Sequence, residues 1–444
     1  MLKLEKGNLR PRFAGGFNTK REDNKVKTFR SLAVFTVAVT LFAGSAAFDA
    51  HAQTFKTLYS FTGAPDGSEP FQSNLLFVNN ALIGTTGLGG TFNAGTIFKL
   101  ASTGKETVLY SFSGGADGNQ PSSGVIRDSK GNLYGTTFWG GNTNCVLTTS
   151  EPPGCGTVYK LSSTGTLTVL YAFNGGTDGA WPQGLVLDSA GNLYGVTFYG
   201  GNLNCPIFVG FGCGVVFKIS TAGAFSVLYT FQGGADGGIP YGFLSLRGST
   251  VYGGTQTGGN LADCGGAGCG VVFSVSTASG AEKSLYAFTG GKDGSLPTSQ
   301  YVWDGAGNLY GTAYAGGLTT CSNQNSVGCG VIFRLSPTGK ETVLYTFKGA
   351  PDGANPSWGL TVDSNGNGYG TTLNGGSSNL GAVFELSSKG AETVLHSFDG
   401  TDGIYPQSGL VSVGTTGFYS NTVGGGDLSC NSPNGCGTIF RIVP

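Results

Sequence analysis

An Asp-Gly dipeptide recurs seven times at one position of a repeated pattern, with its aspartates at Asp66, Asp117, Asp178, Asp236, Asp293, Asp352 and Asp402. Carboxylates on a repeated turn offer two chemistries. Gathered round one axis, they would supply the oxygen ligands that a hard cation such as Ca2+ takes. Left in their own turns, each would accept hydrogen bonds from nearby backbone N–H groups, as Asp does in Asx-type turns. A turn needs the residue in every copy and a metal site does not, so the recurrence favours the turn. Asp128, Asp188, Asp304 and Asp363 start a second recurring turn and take the same reading.

The ten cysteines fall into five local pairs: Cys145/Cys155, Cys205/Cys213, Cys264/Cys269, Cys321/Cys329 and Cys430/Cys436. Every pair lies between an L-Y-G-T-T-like segment and a G-T-V-F-like segment. The two copies without cysteines, Gly84–Phe98 and Gly370–Phe384, have shorter connections there. Even pairing confined to the longer loops predicts disulfides. Cysteine-only zinc sites want four thiolates together, which this spacing does not offer. Each bond would close a small loop, so its contribution belongs near the low end of ~2–4 kcal/mol.

Aromatic residues vary between copies where the scaffold does not. Phe138-Trp139 and Phe198-Tyr199 follow equivalent segments, Trp181 lies in the link between them, and Tyr241 is in the next link. With Asn142, Asn144, Asn202 and Asn204 nearby, Trp139, Trp181, Tyr199 and Tyr241 could stack on and hydrogen-bond a glycan. The competing reading buries these large rings between repeats or under the loops. Acid–base catalysis has little to work with. His396 takes the place of a repeated tyrosine, and outside the leader there is no other histidine for a Ser-His-Asp triad. Glu69, Glu151 and Asp263 lie outside the repeated positions and could serve glycoside hydrolysis as a carboxylate pair, but nothing selects two of them.

The elements that carry these residues are repeats. An L-Y-S-F-like strand is followed by G-G-x-D-G-x-x-P, then G-L-V-x-D-S-x-G-N-L-Y-G-T-T, a variable loop, and G-T-V-F-K-L. The first element begins at Leu58, Leu109, Leu170, Leu228, Leu285, Leu344 and Leu395. A period of about 50 residues signals a propeller or a solenoid. The second copy offers four strands, Gly124–Asp128, Asn132–Thr137, Gly156–Leu161 and Thr166–Phe173. Four antiparallel strands per copy make a propeller blade. The first strand, Thr54–Phe61, is an orphan fourth strand, and the last, Gly437–Ile442, is an orphan third strand. Their pairing predicts an all-β, seven-bladed β-propeller closed by the N-terminal strand within the C-terminal blade.

The stretches Gly184-Leu185-Val186, Gly191-Asn192-Leu193-Tyr194-Gly195 and Gly156-Thr157-Val158-Tyr159-Lys160-Leu161 resemble the choice-of-anchor tandem-repeat family called GloVer, over nearly all of residues 53–444. The resemblance implies an exported bacterial repeat protein and often a C-terminal sorting anchor. It names no catalytic residues. This chain ends in Arg441-Ile442-Val443-Pro444, so attachment by such an anchor is not expected.

Composition agrees with strands and turns. Of 444 residues, 81 are glycine and only 11% are charged, against ~7% and ~25% in ordinary soluble domains. Residues 1–52 read as an N-terminal extension plus signal peptide, with Lys25, Lys27 and Arg30 before the apolar run Leu32–Ala43 and cleavage expected near Ala52. Residues 53–444 form one expected domain holding 15 Lys/Arg against 21 Asp/Glu, a net charge of −6. An acidic chain without a basic stripe argues against nucleic acid and against anionic membranes. The expectation is a secreted or periplasmic monomer, not inserted in a membrane after cleavage. Its expected role is non-catalytic binding of a glycan or cell-surface partner. The alternatives are a polysaccharide-acting enzyme with carboxylates at the channel mouth and a purely structural envelope protein.

Overall fold

The repeated segments pair as antiparallel strands because their apolar side chains alternate, so one register buries each face. A computed structural model describes residues 53–444 apart from 148–150, 298 and 324–325. The leader expected within residues 1–52 lies outside the described residues. In the first blade Leu76–Val78, Ala81–Thr86, Thr96–Ala101 and Glu106–Ser111 are neighbours in that order. Five more four-stranded blades occupy residues 119–172, 180–230, 238–287, 302–346 and 353–397. The seventh takes Val411–Ser412, Phe418–Thr422 and Thr438–Val443 from one end of the chain and Thr54–Ser60 from the other. There Thr54 faces Val443 and Ser60 faces Thr438, so the ring closes as the orphan strands predict.

The inner strand of the second blade departs from expectation. It is split into Asn119–Pro121 and Ile126–Arg127, both on Leu133–Trp139. Gly124 lies in the gap, where a Cβ would stand 2.1 Å from the carbonyl oxygen of Asn74 in the preceding blade. Only glycine lets two inner strands come this close.

Blades are joined by one aromatic contact repeated at every seam. The phenylalanine just after each fourth strand meets an aromatic ring on the next blade's third strand, as in Phe61–Phe98, Phe173–Phe217 and Phe398–Phe440. All seven pairs have centroids 5.0–5.3 Å apart and planes inclined by 63–70°, an edge-to-face geometry. Such pairs add about 0.5–1.5 kcal/mol beyond the burial itself.

A second clasp was not legible in the sequence. The residue before each linking proline is left-handed, with φ of 53–58° at Glu69, Gln120, Trp181, Ile239, Leu296, Asn355 and Tyr405. Non-glycine residues rarely adopt this conformation. Each of these N–H groups donates to a carbonyl of the preceding blade at 2.8–2.9 Å, five times that of the second cysteine of a pair. The strained backbone thus fastens each blade to its neighbour's loop.

Candidate functional site at the stapled loop end

In an antiparallel four-stranded blade, the loop after the second strand and the link after the fourth emerge at the same end of the ring. All five expected disulfides form in the loops at that end: Cys145–Cys155, Cys205–Cys213, Cys264–Cys269, Cys321–Cys329 and Cys430–Cys436. Their Cα atoms are 5.3–5.7 Å apart, inside the usual span of a disulfide. Five such bonds indicate an oxidising compartment.

The aromatic residues chosen as ligand-stacking candidates are not presented to solvent. Trp139, Trp181, Tyr199 and Tyr241 are all buried, Trp181 to within 2% of full burial. Trp181 lies against Trp139 at 5.9 Å and Tyr199 at 5.0 Å, while Phe208 and Phe211 of a stapled loop pack on Tyr199. Tyr241 meets Trp358 of the sixth blade and accepts a hydrogen bond from the Gln72 amide of the first. These contacts between distant blades plug the axis with rings. The physical reason is area, because large rings stabilise most where neighbours can cover both faces.

The aspartate ring is likewise turned to structure. Tyr59, Tyr110, Tyr171, Tyr229, Tyr286 and Tyr345 donate their hydroxyls to Asp66, Asp117, Asp178, Asp236, Asp293 and Asp352, at 2.7–3.1 Å. In the sixth blade His396 Nε2 replaces the hydroxyl, 2.6 Å from Asp402. Because the tyrosines are on the fourth, outermost strands, each carboxylate is drawn to its own blade edge and away from the axis. Among the described residues no three His, Cys, Asp or Glu side chains converge as metal ligands. Burial first, and then the Asp117 carboxylate, push the Tyr110 hydroxyl up to about 12. Replacing Asp117 by alanine is expected to cost about 1–2 kcal/mol in denaturant melts, from the lost Tyr110 and Ser113 bonds. Added calcium should leave the melting temperature of the unmodified protein unchanged. A calcium-dependent rise would return the cation reading.

The second set of aspartates behaves as expected of turns. Asp188 accepts from the Asn192 and Ala190 N–H groups, the Asn192 amide and the Tyr194 hydroxyl. Burial alone would raise this carboxyl, but those bonds outweigh it and hold it below the ordinary value. The carboxylates considered for catalysis stand in different blades. Glu69 accepts from the Asn431 amide at 3.2 Å, and Asp263 from Asn260 at 3.0 Å.

What the repeat pattern does not flag is a set of exposed apolar side chains in the loops. Phe92, Val146, Leu203 and Val209 are exposed in the loops of the first three blades. Leu261, Leu318, Val327 and Leu428 are exposed in those of the fourth, fifth and seventh. The most open are Val209 at 72%, Val327 at 67% and Phe92 at 62%. Of the exposed large hydrophobic side chains among the described residues, only Val362 lies elsewhere, at the far end of an inner strand. A signal was available: leucine stands two or three residues before the first cysteine in four of the stapled loops.

Among solved structures, the fold is similar to a streptogramin B lyase, with a TM-score of 0.53 and 13% identity over 88% of this chain and 97% of that one. A putative gluconolactonase matches at a TM-score of 0.41, 12% identity, and 88% and 92% of the two chains. The computationally designed Ika8 protein matches at 0.44, 11% identity, and 87% and 99%. At these identities the likeness is one of fold. No curated protein matches the chain in sequence. The repeat itself does match: the model of the Gloeobacter/Verrucomicrobia repeat covers residues 46–205, 145–321 and 318–444. With every blade inside those matches, the chain belongs to the family of Gloeobacter/Verrucomicrobia repeat proteins.

Proposed function

We propose that the protein is an extracellular, non-catalytic binding propeller that engages a cell-surface partner through its stapled loop end. The observation that carries this reading is that, among the described residues, every exposed large apolar side chain but Val362 lies in those loops. Single exposed leucines are ordinary on a protein surface, whereas their concentration on one end is not. Disulfides and the clasps to the next blade hold the loops rigid, which lowers the ordering cost of binding. A glycan stacked on Trp139, Trp181, Tyr199 or Tyr241 loses support from their burial.

The test is binding of the purified protein to isolated cell-envelope material, beside a variant carrying Leu203→Asp and Val209→Asp. Both positions are exposed, so the variant should fold, with a melting temperature close to that of the parent. Binding should fall about tenfold or more, since two apolar contacts become charges that must be desolvated. Undiminished binding by the folded variant would sink the reading.

A further inference from the structure

Charge and composition narrow what the loop end can rest on, granted that it is the binding end. The seven loops, residues 87–95, 140–156, 200–214, 258–270, 316–330, 375–381 and 424–437, contain no Lys, Arg, His, Trp or Tyr. Their only charged residues are Glu151, Asp263 and Asp427, while the links at the same end add the seven turn aspartates and the exposed Lys292, Lys348 and Asp399. Protein interfaces are anchored by Trp, Tyr and Arg clustered near a centre. Here the anchors are leucine, valine and one phenylalanine, one or two on each of six of the seven loops and so distributed round most of the rim. A partner touching the loop side chains together must be broad and apolar, with no net charge for the mixed charges of the links to repel.

Part of the backbone of these loops is hydrogen-bonded internally. Gly210 N–H donates to Leu203 at 2.9 Å, Gly200 to Phe211 at 2.7 Å, Gly316 to Val327 at 2.9 Å and Gly328 to Cys321 at 2.8 Å. Gly258 N–H likewise donates to Ala267 at 2.8 Å and Gly154 to Cys145 at 2.8 Å. Burying an unsatisfied peptide group in an apolar medium costs several kcal/mol, so each internal bond lowers the cost of entering it.

We infer that the stapled loop end seats on an uncharged lipid surface, its apolar side chains entering the boundary between headgroups and acyl chains. The inference rests on the binding role proposed for that end and goes beyond it by naming the surface. The acidic net charge and missing basic stripe speak against anionic membranes only, because attraction to anionic lipid requires Lys and Arg. A zwitterionic surface requires neither. The chain does not span the bilayer in this arrangement: it lies on it, as interfacial elements do, about 5–10 Å deep.

Co-sedimentation with phosphatidylcholine vesicles tests this. The purified protein should bind, and raising the salt should leave binding unchanged, since no ion pairs contribute. The Leu203→Asp, Val209→Asp variant should lose about tenfold in partitioning. Val362→Asp, at the opposite end, should bind as the parent does. Absence of binding to these vesicles, or binding that the loop variant retains, overturns the inference. If envelope material is captured through the loops while vesicles are not, the partner is another surface component, so the lipid assignment falls and the binding role stands. If neither depends on the loops, both fall.

Discussion

Replacing Phe440 by alanine is expected to lower stability by about 3–5 kcal/mol and to loosen the N-terminal strand at the same time. Phe440 is fully buried on the third strand of the closing blade. Its ring lies 5.3 Å from Phe398 of the sixth blade and 5.4 Å from Phe55 of Thr54–Ser60. One side chain therefore serves the aromatic seam and the closure of the ring together. Denaturant melts give the stability, and hydrogen exchange across residues 54–60 reports the closure. Phe231→Ala is the comparison, because Phe231–Phe273 is a seam between blades made of consecutive chain. It should cost a similar amount while leaving residues 54–60 protected. If Phe440→Ala leaves their protection at the parental level, closure does not depend on this contact.

The second large effect is a stability that rises on mild acidification, the reverse of ordinary acid behaviour. Glu106, Glu282, Glu341 and Glu392 each open a fourth strand and pack against the tyrosine–aspartate pair of the preceding blade. Burial is the main cause that pushes each up to about 7, and Asp66, Asp236, Asp293 and Asp352 respectively add repulsion. For Glu282 a bond from Ser284, and for Glu392 a bond with Tyr345 and the charge of Lys348, work the other way.

These carboxyls hold a proton in the folded state that the unfolded chain releases above its usual value near 4.5. Between about pH 4.5 and 7 the folded protein therefore binds more protons, and its stability increases as pH falls through that window. Solvent screening at these half-exposed sites reduces the combined effect to the order of 2 kcal/mol. Below the ordinary aspartate range the trend reverses. Asp128, Asp188, Asp304 and Asp363 are held low by their turn bonds, and that stabilisation is lost as they protonate. Melting temperature should thus peak between about pH 4 and 5. Replacing all four glutamates by glutamine should flatten the slope from pH 5 to 8. An unchanged slope in that variant would refute the assignment.

The seam explains why the rest of the site was only partly readable. Position by position, the partner of the Tyr or His on one blade is Phe55, Glu106, Leu167, Phe225, Glu282, Glu341 or Glu392 on the next. Phe55 stacks on His396 at 3.6 Å and Phe225 on Tyr171 at 3.7 Å, where other seams place a glutamate. The repeats reveal that this position varies, but not that it faces a tyrosine some 47 residues or more away in the chain. The same limit applies to Trp139, Trp181, Tyr199 and Tyr241. Variation between copies marked them, and only the meeting of blades decided that they plug the axis.

The amino-acid sequence alone determined the strands, the number of blades, the closure and the five disulfides, because each follows from local alternation, period and short loop spacing. Tertiary structure alone decided exposure. Whether a ring or a leucine faces water depends on what other blades bring beside it, and no local pattern carries that information. This is why the conspicuous tryptophans are core, and the unremarked leucines and valines of the loops are surface.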